Sequence, residues 1–156
     1  MGVTGAGKTT VGKLLASELG WQFADADDFH PAANVEKMRH GVPLDDEDRK
    51  PWLERLRVEI TCWVAIKSNV VLACSALKRI YRQELDVSPQ VCFVYLKGSP
   101  ALIAERLRSR HGHFADEHIL SGQFADLEEP ADAVTVEISA TPQQIVTEIR
   151  QKLGLA

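Results

Sequence analysis

Lys8 and Thr9 close the run Gly2-Val3-Thr4-Gly5-Ala6-Gly7-Lys8-Thr9-Thr10, which meets the pattern G-x-x-x-x-G-K-[ST] at every fixed position. Glycines in such a loop let backbone N–H groups turn inward onto phosphate oxygens, because no Cβ obstructs the turn or the ligand. Lys8 is then placed for the β- and γ-phosphates and the Thr9 hydroxyl for Mg²⁺, while the helix that starts here offers its positive end to the same anion. A glycine-rich turn that merely caps a helix explains the glycines but not the lysine and threonine beside them.

Two carboxylates follow. Asp25 and Asp27 stand two apart at the end of the short apolar stretch Trp21-Gln22-Phe23-Ala24, so an extended backbone would direct both to one face. In an α/β chain that strand end lies beside the phosphate loop. One carboxylate suits Mg²⁺, directly or through water, and the other suits the proton of an acceptor hydroxyl in phosphoryl transfer. A moving phosphoryl group also needs positive charge around it. Arg106, Arg108 and Arg110 lead into a polar stretch with Gly112 and Gly122, and Lys78, Arg79 and Arg82 cluster after Ser75. His111 and His113 lack an obvious third metal ligand, so hydrogen bonding to a polar substrate is the better reading of that pair.

The elements that must carry these groups alternate along the chain. Val11, Leu14, Leu15 and Leu19 recur at helical spacing over roughly Lys8 to Leu19, with Gly20 as the stop. A short helix is expected between Pro31 and Pro43, a turn over Asp45 to Arg49, and a helix that starts at Pro51 with Leu53, Leu56, Ile60, Trp63 and Val64 inside. Asn69 to Cys74 and Val91 to Lys97 read as strands buried on both faces, separated by a helix with Leu77, Ile80, Tyr81 and Leu85 on one side. Ser99-Pro100 opens the next helix, residues 108–123 read as a mobile lid, and Ala133 to Ile138 as the last strand. Thr141-Pro142-Gln143-Gln144 fits a capping box for a closing helix with Ile145, Val146, Ile149 and Leu153 inside. The alternation predicts one three-layer α/β/α domain over residues 1–156, built on a parallel sheet.

With 156 residues, 45% of them hydrophobic, the chain suits one compact domain. A net charge of −4 argues against nucleic acid as a main partner. Cys62, Cys74 and Cys92 are odd in number and lie in apolar surroundings, as expected of reduced core thiols. No apolar run approaches the roughly 18 residues of a membrane span, and no signal peptide is visible, so a cytoplasmic protein without membrane partners is expected.

Several blocks are more specific than the phosphate loop. Asp25-Ala26-Asp27-Asp28-Phe29-His30-Pro31, Asn34 with Lys37-Met38, Gly41-Val42-Pro43-Leu44 with Asp45 and Asp48-Arg49, and Pro51-Trp52-Leu53 come first. Ala73-Cys74-Ser75-Ala76-Leu77-Lys78-Arg79 with Tyr81-Arg82, Gly112-His113-Phe114, and Gln123-Phe124 with Leu127-Glu128 follow. In this order, over essentially the full chain, they resemble the gluconate kinase family. The resemblance implies a relative of shikimate kinase with strand order 2-3-1-4-5, a homodimer, and the reaction of ATP with D-gluconate to give ADP and 6-phosphogluconate. It implies phosphate contacts from Gly5, Ala6, Gly7 and Lys8, Mg²⁺ at Thr9, and Asp27 as base; Thr9 and Thr10 are added as nucleotide contacts from the loop itself and Asp25 as a metal ligand from the carboxylate pair. Arg49 is implied for the gluconate carboxylate, which a guanidinium can hold through two parallel hydrogen bonds. His30, Lys78, Arg82, His113 and Gln123 are candidates for the sugar hydroxyls or the transferred phosphate, Arg106 and Arg110 for the lid or nucleotide, and Thr141 for the neighbourhood of adenine.

Shikimate or another small polyol acid is the alternative substrate, although Cys74-Ser75-Ala76-Leu77 lacks the glycine run expected of shikimate kinases. A non-catalytic nucleotide-binding module is the alternative in another class. It is motivated by a departure from the family: only Met1 precedes the phosphate loop, where the central first strand of the sheet is expected. The strands beginning near Val70 and Val91 would then lack their common neighbour, so the natural protein is expected to start several residues upstream.

Overall fold

The computed structural model describes the backbone of residues 1–111 and 115–155, and side chains outside residues 110–118. Strand and helix alternate as the sequence pattern requires. Helix α1 (Lys8–Leu19) leads to strand β1 (Gln22–Asp25), a 3-10 turn (Ala26–Phe29), and helices α2 (Ala32–Arg39) and α3 (Asp46–Ala65). Then come β2 (Val70–Ala73), α4 (Arg79–Leu85), β3 (Val94–Lys97), α5 (Pro100–His111), α6 (Ala115–Asp126), β4 (Val134–Glu137) and α7 (Pro142–Leu153).

The strands pair in parallel, β1 with β2 from Gln22 opposite Val70 to Asp25 opposite Ala73, and β3 with β4 from Val94 opposite Val134 to Lys97 opposite Glu137. These are the two outer pairs of the expected order. Residues 1 and 2 lie between them: the Met1 nitrogen donates to the Val94 carbonyl (2.5 Å), Leu96 N–H to the Met1 carbonyl (3.0 Å), and Gly2 N–H to the Ser75 carbonyl (3.1 Å). The strands thus form two two-stranded parallel sheets, and the phosphate loop starts between them, at the carboxyl ends of the strands, where open α/β folds bind ligands.

The core has two parts. Val3, Ala6, Val11, Leu15, Leu96, Ile103, Val136, Ile138, Ile145, Val146 and Ile149 form one cluster, which roots the phosphate loop. Ala26, Trp52, Leu53, Leu56, Ile60, Cys74, Ala76, Tyr81 and Leu85 form the other, which roots the turn after β1 and the loop after β2. Close approach between elements of the first cluster depends on Gly98, where a Cβ would lie 2.5 Å from Ile138 Cδ1.

Three expectations change, and the stretch read as a lid is helical where it is described. Helix α3 starts at Asp46, with Pro51 inside it, because Asp45 and Asp48 form a reciprocal capping box that satisfies the first-turn donors. Residues 108–111 and 115–123 are helical, since Leu120 is buried and Phe124, one turn on, packs against the same cluster. Ile80 is exposed, leaving Leu77, Tyr81 and Leu85 as the inner face of the α4 region. Cys62 and Cys92 are also exposed, so only Cys74 is a core thiol, and burial pushes its pKa up to about 11.

Candidate active site

The glycines of the loop take the conformations their role demands. Gly5 has φ 77°, and a Cβ there would sit 3.0 Å from both Ile103 and Leu107, so the turn is closed to larger residues by backbone and packing alike. Gly7, at φ 93°, precedes the first turn of α1, whose free N–H groups face the loop. Thr9 and Thr10 are exposed. Lys8 folds over the loop and donates to the Val3 carbonyl (2.8 Å), and burial lowers its pKa against the opposing pull of Asp27 and Asp25.

Asp25 ends β1 and its carboxylate faces both neighbours that matter. One oxygen lies 3.4 Å from Thr9 Oγ1, and the other accepts the Asp27 N–H (3.1 Å), capping the 3-10 turn. Asp27 consequently sits in that turn rather than in an extended strand, held next to Asp25 and open to the cleft. Partial loss of water and the Asp25 charge raise its pKa, while His30 and Lys8 pull it down. The hydroxyl of Thr9 and the carboxylate of Asp25 are hard oxygen donors beside a phosphate cradle. That set fits a divalent ion that keeps its remaining ligands as phosphate oxygens and water.

A buried network aims this turn, and of its members sequence reasoning gave a role to His30 but none to Trp52 or Asn34. Trp52 Nε1 donates to the Ala26 carbonyl (2.7 Å), and the His30 ring stacks on Trp52 at 4.6 Å. Asn34, almost fully buried, donates to the Asp48 carbonyl (2.7 Å) and lies 3.4 Å from His30 Nδ1. An amide NH₂ only donates, so this contact makes Nδ1 the acceptor and leaves the imidazole proton on Nε2, which faces Asp27 at 3.9 Å. Burial lowers the His30 pKa and keeps the ring neutral near pH 7. The available signal was a tryptophan next to the polar run Asp45 to Lys50, whose indole N–H needs an acceptor when buried.

Two cationic side chains, Arg49 and Lys78, gather around Tyr81 and Asp46. Arg49 Nη1 donates to the Tyr81 hydroxyl (3.1 Å), which in turn donates to Asp46, and Lys78 Nζ donates to the same Asp46 oxygen (2.8 Å). The Lys78 ammonium and Tyr81 hydroxyl hold the Asp46 carboxyl below its ordinary range. Arg82 is buried, with Nη1 donating to the Ala76 and Leu77 carbonyls at 3.0 and 2.9 Å. Gln123 reaches from α6 to accept the Thr4 N–H (2.6 Å). Arg106 donates to the Ile138 carbonyl, in the loop that ends at Thr141. Thr141 caps α7 in a reciprocal box with Gln144. The Arg110 side chain and His113 lie outside the described residues.

The geometry thus joins a phosphate loop to a paired carboxylate through Lys8, Thr9 and Asp25, with Arg49 acting on the His30 ring that faces Asp27. The profile of the shikimate kinase family matches residues 4–154. A probable gluconokinase of Xenopus tropicalis is 42% identical, with 99% of this chain and 94% of that protein aligned. A gluconokinase of Gluconobacter oxydans is 48% identical over 85% of this chain and 75% of its own length. The chain belongs to the gluconokinase family. A crystal structure of a gluconokinase from Sinorhizobium meliloti superposes with a TM-score of 0.86 at 40% identity, covering 99% of this chain and 89% of that one. Gluconokinases of this kind are P-loop kinases, and the three-layer parallel arrangement is their fold.

Proposed function

We propose that the protein transfers the γ-phosphoryl group of ATP to D-gluconate, giving ADP and 6-phosphogluconate. The observation that supports this reading is the Asp25–Asp27 pair beside Thr9 and Lys8, with the His30 ring, itself under the influence of Arg49, facing Asp27. The backbone N–H groups of Gly5, Ala6, Gly7, Lys8, Thr9 and Thr10 cradle the phosphates, and Lys8 leaves the Val3 carbonyl for the β- and γ-phosphates. Thr9 and Asp25 hold Mg²⁺, which when bound offsets charge on the phosphate oxygens. Arg49 and Lys78 bind the gluconate carboxylate in exchange for Asp46 and the Tyr81 hydroxyl. His30, with its Nε2–H toward the cleft, donates to a sugar hydroxyl, and Asp27 accepts the proton of the attacking one. Arg106 and Thr141 line the nucleoside end.

A coupled assay of ADP release with ATP and Mg²⁺ tests this, with gluconate, shikimate or no acceptor in parallel. The expected result is release that depends on gluconate and stays at background with shikimate. Equal release with and without gluconate contradicts it.

A further inference from the structure

The loop that carries Lys78 is held in an unusual shape. Ala76 is buried and has φ 43°, a left-handed conformation that a non-glycine residue adopts only when its surroundings enforce it. Arg82 supplies part of the enforcement through the Ala76 and Leu77 carbonyls. The rest comes from across the molecule, from the segment that leaves α6. Glu128 N–H donates to the Leu77 carbonyl (3.0 Å), and the Glu128 carboxylate accepts the N–H of Arg79, the first residue of α4. The Lys78 side chain makes no cap for that helix, so Glu128 supplies the acceptor that the helix start lacks. Lys78 stands between these two tethered residues, and its ammonium lies 3.9 Å from Asp126 in the same segment. Five residues before Glu128, Gln123 fastens α6 to the Thr4 N–H of the phosphate loop.

We propose that Glu128 is a positioning residue for the acceptor site. The segment from Gln123 to Glu128 acts as a strut with one foot on the phosphate loop and the other on residues 77–79, and Glu128 fixes the direction in which Lys78 enters the cleft. This rests on the assignment of Lys78 to the acceptor carboxylate. Without the Glu128 carboxylate, the Arg79 N–H is left to water, the loop around Ala76 relaxes, and Lys78 loses its aim while the nucleotide site stays intact.

Steady-state kinetics of Glu128→Ala, Glu128→Gln and Lys78→Ala test this, with KM measured separately for gluconate and ATP and the melting temperature followed alongside. Loss of a hydrogen bond to a charged acceptor at Glu128→Ala should raise the gluconate KM about tenfold, with the ATP KM within about twofold. Glu128→Gln keeps a carbonyl acceptor and should restore most of the affinity. If Lys78→Ala raises the gluconate KM but Glu128→Ala does not, the positioning role is overturned. Should Lys78→Ala itself leave that KM unchanged, the underlying assignment of Lys78 fails instead. Equal increases in both KM values with a lowered melting temperature would show a purely structural role for Glu128 and overturn the proposal.

Discussion

Asp27 illustrates how a single side chain acquires its function from its neighbours. Its N–H is fixed by Asp25, its turn is anchored by the Trp52–Ala26 hydrogen bond, and His30 faces it from the stacked side. Although its side chain is largely exposed, the protein around it and the adjacent Asp25 charge favour its protonated form, which moves its pKa up from the ordinary carboxylate value. A base must be ionised to accept a proton, and activity must therefore fall as pH drops through this raised value. The acid limb of kcat/KM for gluconate should accordingly lie above the ordinary carboxylate range. A pH–rate profile checks this, and a rate still undiminished at about pH 4 would remove Asp27 from the role of base.

At the scale of elements, the sequence was most readable where a local rule decided the outcome. The limits of α1, the Ser99 cap of α5 and the Thr141–Gln144 box of α7 all follow from cap chemistry within a few residues. Thr141→Ala should therefore cost about 1 kcal/mol in denaturant unfolding, and Thr141→Ser much less. Equal losses in the two variants would mean that the hydroxyl is not what stabilises this helix start. Where two local signals competed, the reading failed: Pro51 looked like a helix start, but the Asp45–Asp48 box starts the helix five residues earlier, at Asp46. The same limit applied to the site. Lys8, Thr9 and the Asp25–Asp27 pair were legible as motifs, whereas Asn34, Asp46, Tyr81 and Glu128 act through partners 14 to 49 positions away, which no window of sequence displays.

Over the whole molecule, the two core clusters divide the work. The first roots the phosphate loop, the second roots Asp27 and the Lys78 loop, and residues 1 and 2 together with the Gln123–Glu128 segment tie one to the other. Nucleotide affinity should then depend on the first half and proton acceptance on the second. Among the described residues, no helix is long and apolar enough to cross a membrane. The most direct test of this division is the turnover of Asp27→Asn at saturating gluconate and ATP, with the ATP KM measured in the same series. The expected result is a loss of kcat of at least about 10²-fold with an ATP KM within about twofold of the parent. A kcat that survives nearly intact would contradict the assignment of Asp27 as the group that takes the proton from the acceptor.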